Sequence, residues 1–281
     1  MYKHKYLGLL GLIAASLFAT QAFATTCPTA PAGPKLQTQG APVCLAPYGS
    51  DGSGTGLHDV LGPSTNPSSI FSSGPGVNPY TQQTQTPFWS VNASSGSIST
   101  ILLQIAGNAG NDTFGIFDPN NANNKLALIT NGSNGDQAAL STYAGGGYAV
   151  NFGTKVYFST TNYFGYYLAT PTGTFYSLPS LNAAGGMTYP NGMPHMVAYH
   201  GDGGNTLQPM NGFSGGTWSA NEYILAWEDQ PFAKSDLDYN DFLVMVESVH
   251  PVPEPAVLGM FGLGLLLIGG FAVSRRRRYN V

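Results

Sequence analysis

Residues 222–249 read Glu222-Tyr223-Ile224-Leu225-Ala226-Trp227-Glu228-Asp229-Gln230-Pro231-Phe232-Ala233-Lys234-Ser235-Asp236-Leu237-Asp238-Tyr239-Asn240-Asp241-Phe242-Leu243-Val244-Met245-Val246-Glu247-Ser248-Val249. Two short apolar runs, 223–227 and 242–249, flank a loop in which acids crowd together. Both runs are too short for a helix of helical period and are rich in β-branched and aromatic residues, so they read as neighbouring core strands. The five consecutive apolar residues 242–246 mark a buried strand. Glu228-Asp229 then leaves the end of the first strand, and the Asp-rich loop returns into the second.

The same texture extends upstream. Runs 99–106, 113–117, 126–130, 148–158, 163–168 and 195–199 are short, apolar and rich in Val, Ile, Tyr and Phe. Turn clusters such as Asn131-Gly132 and Gly145-Gly146-Gly147 separate them. No segment keeps a helical period through the 37 glycines of the 281-residue chain. The sum predicts an all-β body over 88–250, an antiparallel β-sandwich or jelly roll. Before it, 25–87 is rich in Pro, Ser, Thr and Gly and reads as an extended, poorly packed lead segment. Cys27 and Cys44 are the only cysteines, and in exported sequence one disulfide between them is expected, stabilising by ~3 kcal/mol.

Charge is distributed unevenly. All four arginines are Arg275, Arg276, Arg277 and Arg278, and Lys3 and Lys5 lie at the other end. Between them, residues 25–252 hold 13 Asp plus Glu against four Lys and no Arg, which excludes nucleic acid as a partner. Residues 1–24 read as a signal peptide. Two lysines precede an apolar stretch, and Ala22-Phe23-Ala24 supplies the small-x-small cleavage site, implying the Sec translocon and signal peptidase. At the other end, Pro253-Glu254-Pro255 precedes 18 uncharged residues, 256–273, and then the arginines. As a helix that span is ~27 Å long, enough to cross a bilayer with the arginines kept cytoplasmic. The expected chain thus carries an N-terminal signal helix and, over 251–281, a C-terminal transmembrane helix behind the Pro-Glu-Pro triplet.

This order of triplet, Gly/Leu-rich span and Arg cluster resembles the PEP-CTERM sorting signal of Gram-negative bacteria. The resemblance implies export, an inner-membrane-anchored intermediate, cleavage by an exosortase near Pro253, Glu254 and Pro255, and release or transfer to the cell surface. It also implies bacteria that make exopolysaccharide and biofilm.

The chemical signal is the acid cluster. Glu228, Asp229, Asp236, Asp238, Asp241 and Glu247 fall within 20 residues, opposed only by Lys234. Like charges at that density either stay solvated or are organised by a cation. The spacing Asp236-x-Asp238-x-Asn240-Asp241 puts alternate oxygens on one side of a tight turn, and the absence of Cys or His favours Ca²⁺ over softer metals. It is not an EF-hand: Asp241 stands where the glycine is required, and the loop runs into a strand. Glu228, Asp229, Asp236, Asp238, Asn240 and Asp241 are therefore the candidate calcium ligands. The segment resembles an uncharacterised β-domain family in which a Glu-Asp pair precedes an Asp-x-Asp-Tyr/Phe-Asn-Asp loop. That resemblance extends loosely through 113–118 and 175–177.

Other constellations are weaker. Gly212-Phe213-Ser214-Gly215-Gly216 matches the nucleophile-elbow pattern, with Asp229 and His250 in hydrolase order, but lacks the strand before and the helix after. His195 and His200 are five apart, on opposite faces of a strand. Tyr157, Tyr163, Phe164, Tyr166, Tyr167, Phe175 and Tyr176 suit either a sugar-stacking platform or a core. The expected role is a structural or adhesive surface or matrix protein touching exopolysaccharide, and not an enzyme. The alternatives are a glycoside hydrolase pairing Glu228 with Glu222 or Glu247, and a tail-anchored periplasmic protein left unprocessed.

Overall fold

A computed structural model of the chain describes residues 43–46, 55–84, 86–92, 96–104, 108, 110–160, 162–185, 189 and 191–252. The signal-peptide residues Ala22 and Ala24, Cys27, and the C-terminal segment with Pro253, Glu254, Pro255 and Arg275 to Arg278 lie outside them. Among the described residues no helix is long and apolar enough to cross a membrane.

The body is all-β and antiparallel. An eight-stranded sheet runs β2 (Gln83–Thr84), β12 (Met196–His200), β15 (Glu222–Trp227), β16 (Phe242–Glu247), β4 (Ser97–Gln104), β7 (Gln137–Tyr143), β8 (Gly147–Val150), β9 (Val156–Tyr157). A four-stranded sheet runs β11 (Gly173–Tyr176), β10 (Gly165–Thr170), β5 (Thr113–Asp118), β6 (Asn121–Thr130). Two smaller sheets join β1 (Phe71–Ser73) with β13 (Thr206–Leu207) and β14 (Gly216–Thr217), and β17 (Val249–Val252) with β3 (Phe88–Val91). The only regular α-helix among the described residues is the single turn α1 (Leu57–Val60).

The register of β15 on β16, with Ile224 opposite Met245, Leu225 opposite Val244 and Trp227 opposite Phe242, explains the unbroken apolar runs. Successive side chains point to opposite faces, and here both faces are buried. Leu225, Trp227, Phe242 and Val244 join one core with Phe114, Ile116, Tyr166 and Leu168 of the four-stranded sheet. Phe114 stacks on Tyr166 at 5.2 Å and meets Phe242 at 5.9 Å. Ile224, Ala226, Leu243 and Met245 join a second core on the other face. A strand covered on both sides has no polar face to alternate with.

That second core contains the main departure from expectation. Val43, Leu45, Leu57, Val60, Leu61, Ile70, Phe71 and Val77 are buried in it beside Trp218, Leu237 and Tyr239. The described part of 25–87 is thus not a poorly packed lead segment but a layer over the central sheet. Cys44 within it is buried and disulfide-bonded.

Two expected strands are interrupted. The run 148–158 splits at Asn151 and Phe152, both with positive φ (48° and 60°), into β8 and β9. The run 242–249 breaks at Ser248 (φ 57°). There the chain leaves β16, and β17 pairs instead with β3, Val249 opposite Val91.

Candidate metal centre

The strand order places the acid cluster at one end of the central strands, where β15 stops at Trp227 and β16 begins at Phe242. Every candidate ligand is buried: Glu228, Asp229, Asp236, Asp238, Asn240 and Asp241 are each 7% exposed or less. The loop is therefore not a solvated turn. One oxygen from each of Glu228, Asp238 and Asp241 lies within 4.8 Å of the other two, a spacing that suits a shared cation.

The intervening residues make this possible. Leu237 and Tyr239 both have positive φ, 62° and 56°, a region that bulky side chains enter at a cost of ~1–3 kcal/mol each. Both are fully buried in the second core, which offsets the strain. The Tyr239 hydroxyl donates to the Pro194 carbonyl at 2.5 Å, and the Ala46 N–H donates to the Leu237 carbonyl at 2.7 Å. With the apolar members of the loop drawn into the core, its polar members turn the other way. The Asn240 N–H closes on Asp238 Oδ1 (3.2 Å), the Leu237 N–H on Ser235 Oγ (3.0 Å) and the Asp229 N–H on Asp241 Oδ2 (3.0 Å).

These bonds do not satisfy the cluster. Glu228 Oε2 and Asn240 Oδ1 are buried without a hydrogen-bond partner, although the Asn240 amide nitrogen donates to the Thr55 carbonyl. Burial holds the Glu228 carboxyl well above the usual carboxylate range, and Asp241, Asp238 and Asp236 push it further. Asp241 is raised by burial and then by Asp229 and Asp238. No Lys or Arg is buried among the described residues, and Lys234 is exposed. Carboxylates gathered out of water without an internal cation hold protons or bind a metal. Glu228, Asp238 and Asp241, with the Asn240 amide oxygen, form an all-oxygen donor set suited to a hard cation.

One member of the neighbourhood escaped the sequence reading. Asp112, just before β5, is 3% exposed with Oδ1 unpartnered. Its pKa is raised to about 7, by burial first and then by Asp229. Nothing local in the sequence marks it; only the pairing of β5 with β10 brings it here.

The other constellations do not assemble as active sites. Glu222 faces Glu247 across β15 and β16, at the end of the strands opposite Glu228 and ~20 Å from it at the rise of a strand. Glu228 therefore pairs with neither, and the hydrolase arrangement built on it is not formed. The Ser214 hydroxyl lies exposed against its neighbour's carbonyl, that of Gly215, and the chain continues into β14 rather than a helix. His250 Nε2 lies 2.7 Å from Ser90 Oγ. The His195 ring stacks on Phe175 at 4.1 Å with Nδ1 at 3.1 Å from the Glu228 carbonyl, and burial lowers its pKa to about 4. His200 stacks on Tyr223. Phe164, Tyr166, Tyr167 and Phe175 are core residues, so a continuous sugar platform along that stretch does not form.

Comparison with known families assigns residues 251–278 to the PEP-CTERM protein-sorting motif. The chain is thus an exported, β-rich protein carrying the recognition signal of an exosortase, its processing partner, with a membrane-anchored precursor on the way to the surface. Comparison with curated proteins and with solved structures gives no match.

Proposed function

We propose that this exosortase substrate is a calcium-organised structural or adhesive protein of the cell surface or extracellular matrix, in contact with exopolysaccharide and without catalysis of its own. The observation that carries the reading is the meeting of Glu228, Asp238 and Asp241 within 4.8 Å, out of water, with the Glu228 Oε2 and Asn240 Oδ1 atoms unpartnered. Calcium suits a donor set made only of oxygens and is bound by extracellular modules at ~10⁻⁴–10⁻³ M. When bound it would supply positive charge to the loop 236–241 and hold it against the end of β15. The reading also draws on the resemblance of the Glu228-Asp229 and 236–241 segments to the β-domain family of bacterial exoproteins.

The adhesive part is tested by retention on purified matrix polysaccharide. The full-length chain, purified in detergent, is expected to be retained in 5 mM Ca²⁺ and released by EGTA. Equal passage through the matrix under both conditions would contradict the adhesive role.

A further inference from the structure

We propose a second cation subsite beside the first, with Asp112 and Asp229 as its carboxylates and Asp241 between the two centres, taking a hard divalent cation of the calcium class. The inference rests on the reading of Glu228, Asp238 and Asp241 as a metal centre and extends it across the two large sheets.

The placement follows from strand register. In the pairing of β5 with β10, Thr113 lies opposite Ala169, so the next step puts Asp112 across from Thr170. The Thr170 and Thr172 hydroxyls both donate to the Asp229 carbonyl, at 3.2 and 2.8 Å. The β10–β11 turn therefore clasps the backbone of Asp229, at the end of β15, beside Asp112, at the start of β5. The Asp229 N–H in turn donates to Asp241 Oδ2, and Asp241 belongs to the first centre.

The state of Asp112 is what points to a ligand. The Asp112 backbone carbonyl is occupied by the Asn131 N–H at 2.8 Å, yet the Oδ1 atom of its 3% exposed side chain has no partner. Asp118, at the other end of the same strand, shows how this fold treats a carboxylate that serves only structure. It is 1% exposed, and its oxygens accept the Ser159 N–H, the Ser159 hydroxyl and the Asn120 N–H, at 2.6, 3.0 and 3.0 Å. An unsatisfied buried acceptor is costly, and an ionised one more so. Among the described residues the lysines are engaged elsewhere or exposed: Lys125 lies over the Tyr167 and Tyr176 rings, Lys155 over Tyr143, and Lys234 in solvent. A cation between Asp112 and Asp229 would join the four-stranded sheet to the eight-stranded sheet at the end where their core aromatics meet.

The test is calcium stoichiometry by flow dialysis on the full-length chain in detergent. Two calcium ions per chain are expected in the unaltered protein, falling to one in Asp112→Asn. The ion kept by Asp112→Asn should change less than about tenfold in affinity, and Glu228→Gln should weaken that ion instead. One calcium per chain in the unaltered protein, with Asp112→Asn binding the same one, would overturn the second subsite and leave the first standing. The unaltered chain alone decides this even if the variant misfolds. No calcium at all would instead remove the reading on which the subsite rests.

Discussion

Glu247 and Glu222 show at the residue scale that this chain tolerates unfavourable charge away from the acid centre as well. They sit directly opposite on β15 and β16, where like charges repel. The Glu247 carboxyl is raised, by partial burial first and then by Glu222. A carboxyl whose folded pKa exceeds its unfolded value binds more protons when folded, so its contribution favours folding at low pH and is lost as pH rises through the raised value. Glu247→Gln is accordingly expected to raise the melting temperature at pH 7. It should also flatten the decline from just above the ordinary glutamate range of ~4.3. Melting curves between pH 4 and 8 check this, and a lower melting temperature for the variant at pH 7 would contradict it. The same scale shows what the sequence could reveal. Glu228, Asp229, Asp236, Asp238, Asn240 and Asp241 stood out because they are close in the chain, and they are buried together. Asp112 did not, because only strand pairing brings it to Asp229.

At the scale of elements, β15 and β16 were legible because burial on both faces leaves them no polar alternation to hide in. The sequence missed β7, whose Gln, Ala and Ser residues carry little strand signal, and β11, which is only four residues long, and it misread the described part of the lead segment. There the apolar residues Leu57, Val60, Leu61, Ile70, Phe71 and Val77 are scattered through Pro, Ser and Gly and show no period of their own. Besides β13 and the central strands, the far side of the acid loop holds them, for Leu237 and Tyr239 pack among them and the Leu237 carbonyl accepts the Ala46 N–H. The Asn240 amide reaches the Thr55 carbonyl as well. The loop thus helps to clamp this layer to the sheet, and calcium bound as proposed would strengthen the clamp. Limited proteolysis should cut within 55–84 faster in EGTA than in 5 mM Ca²⁺, while the β15–β16 pair stays protected. Identical cleavage patterns in both conditions would show that the layer holds without the metal.

For the whole molecule, the sorting motif over 251–278 and the β body make complementary demands. The motif implies a membrane-anchored precursor that is then processed, and the cation proposed for the body would be met outside the membrane. Mass spectrometry of the surface-localised protein is expected to find the chain ending near Pro253, Glu254 and Pro255, with 256–281 removed. An intact C-terminus through Val281 would instead favour the tail-anchored reading. The β-rich character was legible because strand-like runs and turn clusters alternate through most of 88–250. The layering was not, since which runs face each other depends on contacts far apart in the chain.

Thermal melting of the full-length chain in detergent, first in EGTA and then in 5 mM Ca²⁺, tests the central claim most directly. With a dissociation constant of ~10⁻⁴–10⁻³ M, calcium should add ~1–2 kcal/mol, several degrees in melting temperature. The gain should disappear in the Asp236→Ala, Asp238→Ala double variant. An unchanged melting temperature on adding Ca²⁺ would contradict the account, leaving Glu228, Asp238 and Asp241 as a buried cluster held by protons.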